Sequence, residues 1–173
     1  PRTPEHEATP QSASPENGEC VATTPEENAE IARRWTVDAL DQHNLDVLDE
    51  IVFEGLIHHA GLFVDEIGRD ALKADLQALL DGFPDIRFTA DVIVTEGDHA
   101  AVRWTGSGTH DAEFLGIPPT GNEVVFSGIN FYRIACGQIV EGWSEPDSLG
   151  LLRQLGAIPE VQPDISPEAT PTS

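Results

Sequence analysis

The stretch Phe83–Asp147 constrains the fold of this chain most, because almost all of it reads as strand, turn, strand. Gly97–Asp98 and Cys136–Gly137 each lie between two runs rich in β-forming residues, and such glycine-containing pairs commonly connect the strands of a hairpin. Between the hairpins, Phe114–Gly121 holds two prolines and two glycines, which favours a wide loop over a central strand. The pattern predicts a meander of four long strands, at roughly 86–96, 99–111, 122–135 and 138–146.

Helices are predicted before this meander, with one short helix after it. Thr24 as N-cap, Pro25 at the first position and Glu27 three residues on match a capping box, and the helix that they open continues to about Gln42. The other predicted elements are a short helix over Leu45–Ile51, a strand over Phe53–Phe63, a helix from Gly68–Arg69 to Gly82, and a closing helix over Leu149–Leu155.

Helices followed by a long antiparallel meander are typical of an α+β domain with helices against one face of the sheet. A strongly curved antiparallel sheet wrapped around N-terminal helices forms a cone with an internal pocket. That pocket is where a functional site is expected.

The two ends of the chain differ from its middle. Residues 1–25 and 159–173 are rich in Pro, Ser, Thr and Glu and nearly lack large apolar side chains. The first is predicted to be a disordered or loosely attached tail and the second a disordered tail. Residues 26–158 remain as a single domain of ordinary size. Tails of this composition resemble the spacers of exported bacterial proteins.

The charge of the chain excludes several classes of partner. Its formal net charge is −22, with 31 Asp and Glu against nine Lys and Arg. Nucleic-acid binding requires the opposite sign, and an anionic membrane surface would repel the protein. No run of residues is apolar for long enough to predict a membrane span.

The two cysteines, Cys20 and Cys136, are too few for a disulfide framework and have no neighbours at metal-ligand spacing. They are either unrelated or joined in one disulfide that ties the N-terminal tail to the sheet. The second alternative predicts an exported, extracytoplasmic protein, since disulfides persist in oxidising compartments.

Several short motifs of the sequence, taken together, resemble those of one protein family. They are the FPD before the first long strand, the GD of the first hairpin, RW followed by GTH, the GIPPTG loop, the run Gly137-x-Ile139-x-Glu141-x-Trp143, and Gln154-Leu155-Gly156. Residues 26–158 are similar to the SnoaL-like polyketide cyclase (ester cyclase) family of the NTF2-like superfamily.

This resemblance implies an intramolecular aldol ring closure without a metal or organic cofactor. In the characterised cyclases an acidic side chain follows the tryptophan of the last strand, and a histidine lies on the adjacent strand. Here Ser144 and Asn130 stand at those positions, and a serine cannot replace the carboxylate as a general base. Glu145 and Asp147 lie nearby, and Asp147 matches a second acid that is common in the family's W-x-x-x-D ending.

Asp147 has two interpretations from its position alone. It is either a catalytic acid that turns inward after Pro146 or the N-cap of the closing helix, since Asp-Ser before Leu149 is good N-cap chemistry. Trp143, Glu145 and Asp147 alternate and therefore share one face of a straight strand.

The paired histidines His58 and His59 are the other catalytic candidates. Adjacent strand residues face opposite sides of a sheet, so only one of them can point into the cone. That one is expected to be a donor or acid in the pocket, whereas the alternative is a structural or solvent-exposed histidine. Two histidines without a third ligand give little support for a metal site.

The remaining candidates form the predicted substrate pocket. Asn130 and Tyr132 share one face of their strand, and a buried Asn beside a Tyr indicates ligand recognition as well as core hydrogen bonding. His110 is placed at the pocket mouth or in a structural role, and Arg103 is expected to pair with an acid such as Glu123. The predicted pocket residues are Asn130, Tyr132, Trp143, Ser144, His110, Trp35, Phe126 and Phe114.

Three functions fit these residues. The first is a cofactor-independent cyclase, isomerase or lyase acting on a small hydrophobic molecule, with Asp147 or Glu145 as base. The second is a non-catalytic, exported domain that binds a small ligand. The third is an epoxide-hydrolase-like enzyme that uses Asp147, Arg103, Asn130 and Tyr132. A homodimer is expected in each case, because exposed apolar faces on such sheets commonly associate.

Overall fold

The helices and strands follow one another largely as predicted over the residues that the structure describes, 21–60 and 66–159. In this computed structural model the α-helices are α1 (Pro25–Arg34), α2 (Leu48–Ile51), α3 (Arg69–Gly82) and α4 (Ser148–Gln154). The strands are β1 (Val52–Ala60), β2 (Glu66–Ile67), β3 (Arg87–Glu96), β4 (His99–Thr109), β5 (Glu123–Ala135) and β6 (Gln138–Pro146). The predicted meander corresponds to β3 to β6.

The strands form one sheet in the order β2-β1-β6-β5-β4-β3. The meander pairs antiparallel throughout, as predicted. Strand β1, however, runs parallel to β6, so the sheet is mixed and not purely antiparallel. Parallel neighbours need a long crossover connection, and here the chain passes through α3 and β3 to β5 before it returns beside β1.

Irregular registers accompany the curvature of the sheet. The pairing shifts between Ala90 and Val92 in β3, between Arg133 and Ile134 in β5, and between Val52 and Ile57 in β1. A β-bulge bends its strand and increases the local twist. The sheet is therefore concave on one side, and the helices lie against that side.

Burial alternates along β5 and separates two faces of the sheet. Val124, Phe126, Asn130, Tyr132 and Ile134 are buried on the inner face, whereas their neighbours are exposed or partly exposed. Side chains from α1, α3 and the inner face pack into one core cluster. This arrangement confirms the predicted α+β fold.

The first helix begins as predicted and ends differently. Thr24 accepts a hydrogen bond from the Glu27 backbone N–H, and the Glu27 carboxylate accepts one from the Thr24 N–H, so the capping box is present. After Arg34 the helix widens into a π-helix over Trp35–Asp41 and does not stay α-helical to Gln42. Such π-helical turns are rare and are frequently found at functional sites.

Two of the motifs that resemble the family, FPD and Gln154-Leu155-Gly156, have structural roles. The Asp85 carboxylate of FPD accepts hydrogen bonds from the Thr109 N–H at 2.7 Å and the Thr109 hydroxyl at 2.8 Å, and these bonds lower the pKa of Asp85. The Gln154 side chain pairs with the backbone N–H and C=O of Val125 at 2.8 and 2.9 Å. The first contact fixes the start of β3 to the end of β4, and the second fixes α4 to β5.

Cys136 is disulfide-bonded in the structure. The other cysteine of the chain, Cys20, lies outside the described residues, as do most of the two predicted tails. The pairing of Cys20 with Cys136, the disorder of the tails and an exported location therefore stay predictions. Within the described part of the chain, no helix is both long and apolar enough to cross a membrane.

Asn28 should be a strong determinant of stability, because it joins α1 to the β3–β4 hairpin. It is fully buried, accepts a hydrogen bond from the Thr23 hydroxyl and donates one to the Gly97 carbonyl at 3.0 Å. Asn28→Ala removes both hydrogen bonds, each worth about 0.5–1.5 kcal/mol, so we expect a loss of about 1–3 kcal/mol in the free energy of unfolding, measured by urea denaturation. Asn44→Ala, at an exposed position, is the control. Equal stability of the two variants would contradict this role.

Candidate functional site

One row of residues on the inner face of the sheet crosses four strands. Ala100 of β4 lies opposite Tyr132 of β5, Tyr132 opposite Gly142 of β6, and Gly142 opposite His58 of β1. In the next row Asn130 lies directly opposite Ser144. The register therefore brings His58, Ser144, Asn130 and Tyr132 together on the concave side, although β1 is distant from β6 in the sequence.

His58 and Ser144 form a hydrogen-bonded pair. The distance from His58 Nε2 to Ser144 Oγ is 3.0 Å. The His58 side chain is buried, with 5% of its surface exposed, whereas Ser144 is partly exposed. An imidazole that is held on a hydroxyl in this way can accept or donate a proton.

Asn130 connects two aromatic side chains. Its Oδ1 accepts a hydrogen bond from Trp104 Nε1 at 3.0 Å, and its Nδ2 donates one to the Tyr132 hydroxyl at 2.7 Å. Complete burial raises the pKa of Tyr132, against a smaller lowering from the bond to Asn130. The phenol therefore stays neutral, and its O–H can be donated while its oxygen accepts from Asn130.

Two glycines provide the space that these rings occupy. A Cβ on Gly142 would come within 3.1 Å of His58 Cδ2 and 3.5 Å of Tyr132 Cδ1. A Cβ on Gly128 would come within 2.4 Å of Trp104 Cζ2. The absence of side chains at these positions lets His58 and Tyr132 lie over β6, and it lets the indole of Trp104 cross β5 to reach Asn130.

Trp35 covers this group from the helical side. Its ring centroid lies 5.2 Å from that of Tyr132 and 6.2 Å from that of His58. Trp35 begins the π-helix, which places the wide helical turn directly over the sheet row. We refer to His58, Ser144, Asn130, Tyr132, Trp104 and Trp35 as the interior site.

The two predicted catalytic carboxylates lie outside this site. Glu145 is exposed, and its neighbour Ser144 is the residue that contacts His58. Asp147 is exposed and caps α4, because its carboxylate accepts a hydrogen bond from the Gly150 N–H at 2.8 Å. Asp147 is therefore the N-cap of α4, the second of its two interpretations. Neither carboxylate lies where it could act on a ligand inside the cone.

His59 and Trp143 lie on the outer face, in contrast to their predicted places in the site and its pocket. The two rings stack at 5.2 Å, and His59 Nε2 lies 3.3 Å from a carboxylate oxygen of Glu141. The alternation of side chains in β1 directs His58 inward and His59 outward, as the sequence predicted for one histidine of the pair.

His110 and Phe114 lie under the loop that follows β4 and not at a pocket mouth. His110 is completely buried, and its Nδ1 accepts hydrogen bonds from the Thr120 N–H and hydroxyl at 3.3 and 3.1 Å. The rings of His110 and Phe114 both pack against Phe83, at 5.1 and 5.2 Å. Phe126 is closer to the interior site, because it packs on Trp104 at 5.5 Å.

Arg103 also differs from its predicted role. It pairs with Asp91 and not with Glu123, and it lies on the outer face with its side chain half exposed. The four residues of the epoxide-hydrolase hypothesis are thus separated. Asn130 and Tyr132 face the interior, Arg103 faces outward, and Asp147 caps a helix.

Sequence reasoning missed Trp104 and Thr36. Trp104 lies on the inner face of β4 and supplies the indole N–H that orients Asn130. Thr36 is buried in the π-helix, and its hydroxyl has no hydrogen-bond partner among the described residues. The alternation of β4 could have placed Trp104 inward, but its partner depends on the register between two strands.

The electrostatic character of the interior site follows from these contacts. Among residues 21–59 and 68–159, none of the buried polar side chains is a carboxylate. No group of three His, Cys, Asp or Glu in the same residues could hold a metal ion. The arrangement combines one imidazole with neutral donors under aromatic rings, which suits proton transfer on an uncharged, largely apolar ligand.

Comparison with known proteins agrees with this architecture. The family model of the SnoaL-like polyketide cyclases matches residues 30–155, so the chain belongs to that family, and its fold is the NTF2-like cone. No curated protein sequence matches the chain.

Solved structures resemble this chain over most of its length. A protein of Jannaschia sp. CCS1, described as a candidate SnoaL-like polyketide cyclase, is 24% identical, with a TM-score of 0.73 over 82% of this chain and 100% of that one. AclR of Streptomyces galilaeus, described as a candidate hydroxylase, is 26% identical, with a TM-score of 0.70 over 79% and 100%. IdmH of Streptomyces antibioticus, described as a candidate polyketide cyclase, is 29% identical, with a TM-score of 0.65 over 76% and 99%.

Tyr132 is the only tyrosine of the chain, so its titration can be read directly from the absorbance of tyrosinate at 295 nm. Because burial raises its pKa, the folded protein should show no tyrosinate at pH values near 10, where a tyrosine in an unfolded chain titrates. The folded state then holds a proton that the unfolded state releases, so stability should fall as the pH rises above about 10. A urea-unfolded sample is the control, and a folded-state titration near pH 10 would show that Tyr132 is not buried.

Proposed function

We propose that this SnoaL-like protein binds a small, largely apolar carbonyl compound in the interior site and that His58 moves a proton on it. The observation that carries the proposal is the buried His58, hydrogen-bonded to Ser144 at 3.0 Å beside the neutral Tyr132 phenol. Membership of the polyketide cyclase family supports a substrate of this class.

The chemistry starts with His58 Nε2 as general base. It removes a proton from carbon next to a carbonyl, and the electron pair passes into the carbonyl oxygen to form an enolate. The Tyr132 O–H and an Asn130 N–H are the neutral donors near this oxygen, and burial makes such hydrogen bonds effective because water does not compete for them. In a ring closure the enolate carbon bonds to a second carbonyl carbon, and the imidazolium returns the proton to the new alkoxide.

His58 takes the role that the family gives to a carboxylate. Ser144 cannot be the base, but its hydroxyl holds the imidazole in place, and the neighbouring carboxylates Glu145 and Asp147 lie outside the cone. A binding protein without turnover is the second candidate, favoured by the same exposed position of the two acids. Both candidates use the same interior site and differ only in whether His58 acts on the ligand.

Isotope exchange separates these two candidates without knowledge of the natural substrate. In D2O, the wild-type protein should accelerate the exchange of the α-protons of 2-tetralone, a bicyclic apolar ketone, as followed by NMR. His58→Asn should lower the catalysed rate by about 100-fold or more, since general-base catalysis commonly contributes 10²–10⁴-fold.

His59→Asn is the matched control, because His59 lies on the opposite face of the same strand. This variant should catalyse the exchange of 2-tetralone at the wild-type rate. Binding of 2-tetralone without accelerated exchange would favour the binding protein. Equal effects of the two substitutions would contradict a specific role of His58.

We further propose that the outer face of the sheet forms a homodimer interface. One outer row crosses four strands at Val94, Ala101, Phe131 and Trp143, and Val94 and Phe131 are 59% and 40% exposed. Val92, Val125 and Ile129 extend this surface and are more than half exposed. A contiguous apolar surface of this kind is commonly an interaction site.

Two ion pairs on this face favour a second copy of the chain as its partner. Two copies with a net charge of −22 repel each other wherever acids face acids. On the outer face, however, Arg103 pairs with Asp91, and Arg133 pairs with Glu141 at 3.1 Å. These pairs place an arginine beside two carboxylates of the apolar face, which lowers the electrostatic cost of association.

Phe131→Glu should convert the dimer to a monomer, because it places a carboxylate in the centre of the apolar row. Sedimentation equilibrium of the wild type and the variant measures the mass of each. Leu149→Glu is the control, since Leu149 is similarly exposed on α4 and away from the sheet face. A wild-type monomer at micromolar concentrations would contradict the proposed interface.

A further inference from the structure

We propose that Ser144 is a nucleophile as well as a partner of His58, and that the interior site accepts acyl groups from small apolar esters or thioesters. This inference depends on the proposed role of His58 as a base. It adds an activity, acyl transfer to Ser144, that proton removal from a ketone does not require.

The first support is the geometry of the pair. A serine hydroxyl is a weak nucleophile until a base within hydrogen-bond reach takes its proton, and distances of about 2.6–3.2 Å are typical of such pairs. Ser144 Oγ and His58 Nε2 lie 3.0 Å apart, and the two residues are held on adjacent paired strands. Ser144 is also partly exposed, whereas His58 is buried.

The second support is the presence of donors on the next strand. Asn130 lies directly opposite Ser144, and its position is fixed by the Trp104 indole through a hydrogen bond to Oδ1. One amide hydrogen of Asn130 bonds to the Tyr132 hydroxyl, and the amide carries a second. These neutral donors are placed near the carbonyl oxygen of a group attached to Ser144, where negative charge would develop.

The third support is the electrostatic setting. Glu145 and Asp147 both lie outside the cone, and the buried polar side chains of residues 21–59 and 68–159 include no carboxylate. A tetrahedral oxyanion formed at Ser144 would therefore meet neutral donors and aromatic rings, with no carboxylate charge from those residues to oppose it.

The reaction balances with water as the only co-reactant. Ser144 Oγ bonds to the acyl carbon, its proton passes to His58 Nε2, and the carbonyl π-electrons move to the oxygen. When the carbonyl re-forms, the bond to the leaving alcohol or thiol breaks, and that group takes the proton from His58. Water then attacks the acyl-serine while His58 removes its proton, the acid leaves, and the proton returns to Ser144 Oγ.

The test uses p-nitrophenyl butyrate as the probe. The wild-type protein should release p-nitrophenol and gain the mass of one butyryl group, and peptide mapping should place that group on Ser144. Ser144→Ala should abolish the adduct, and His58→Asn should slow its formation by about 100-fold or more. Ser127→Ala is the matched control and should acylate normally, because Ser127 lies on the opposite face of the neighbouring strand.

A second variant covers the case in which Ser144→Ala does not fold. Ser144→Cys keeps a nucleophile of similar size, and its adduct should be a thioester that neutral hydroxylamine cleaves. A wild-type protein without an adduct, or an adduct that persists in Ser144→Ala, overturns the proposal. If the acyl-serine proposal fails but the protein still catalyses His58-dependent exchange of 2-tetralone, the proposed role of His58 as base stands. If the protein shows neither acylation nor exchange, both proposals are wrong.

Discussion

The parallel pairing of β1 with β6 is the interaction on which the interior site depends. It places His58 beside Gly142 and within 3.0 Å of Ser144, 86 residues further along the chain. The strands of the meander pair with their neighbours in sequence, and two-residue turns help to fix the registers of β3 with β4 and of β5 with β6. The β1–β6 pair has no such turn, and its register is held by the backbone ladder and by the packing of His58 and Tyr132 over Gly142.

The same strands build two chemically different surfaces, because side chains alternate with a period of two. His58, Ser144 and Asn130 face the helices, whereas their chain neighbours His59, Trp143 and Phe131 form an aromatic row on the other side. A slip of one residue in β6 would exchange Ser144 for Trp143 and destroy both surfaces together. The interior site and the apolar outer face therefore depend on one register.

The buried polar side chains of residues 21–59 and 68–159 include no carboxylate, although the chain is strongly acidic. Burial of a carboxylate without a partner is costly, and the acids of residues 21–59 and 68–159 are exposed or partly exposed. Several of them pair with arginine or accept hydrogen bonds from backbone N–H groups. A hydroxyl at Ser144 can hydrogen-bond to His58 without adding a charge to the core. The site thus combines an imidazole on β1 with the neutral Tyr132 phenol on β5.

The sequence by itself determined the elements that depend on local chemistry. The capping box at Thr24, the hairpins at Gly97 and Gly137, the strands they join and the inward–outward alternation of His58 and His59 all follow from neighbouring residues. It also indicated the family, through motifs such as FPD, whose Asp85 accepts a hydrogen bond from Thr109 and so joins the start of β3 to the end of β4. Only the tertiary structure decided that β1 lies parallel to β6, that Asp147 caps α4, and that Trp104 reaches Asn130 across Gly128. These contacts join residues distant in sequence, and their partners are set by register and packing, which local patterns do not encode.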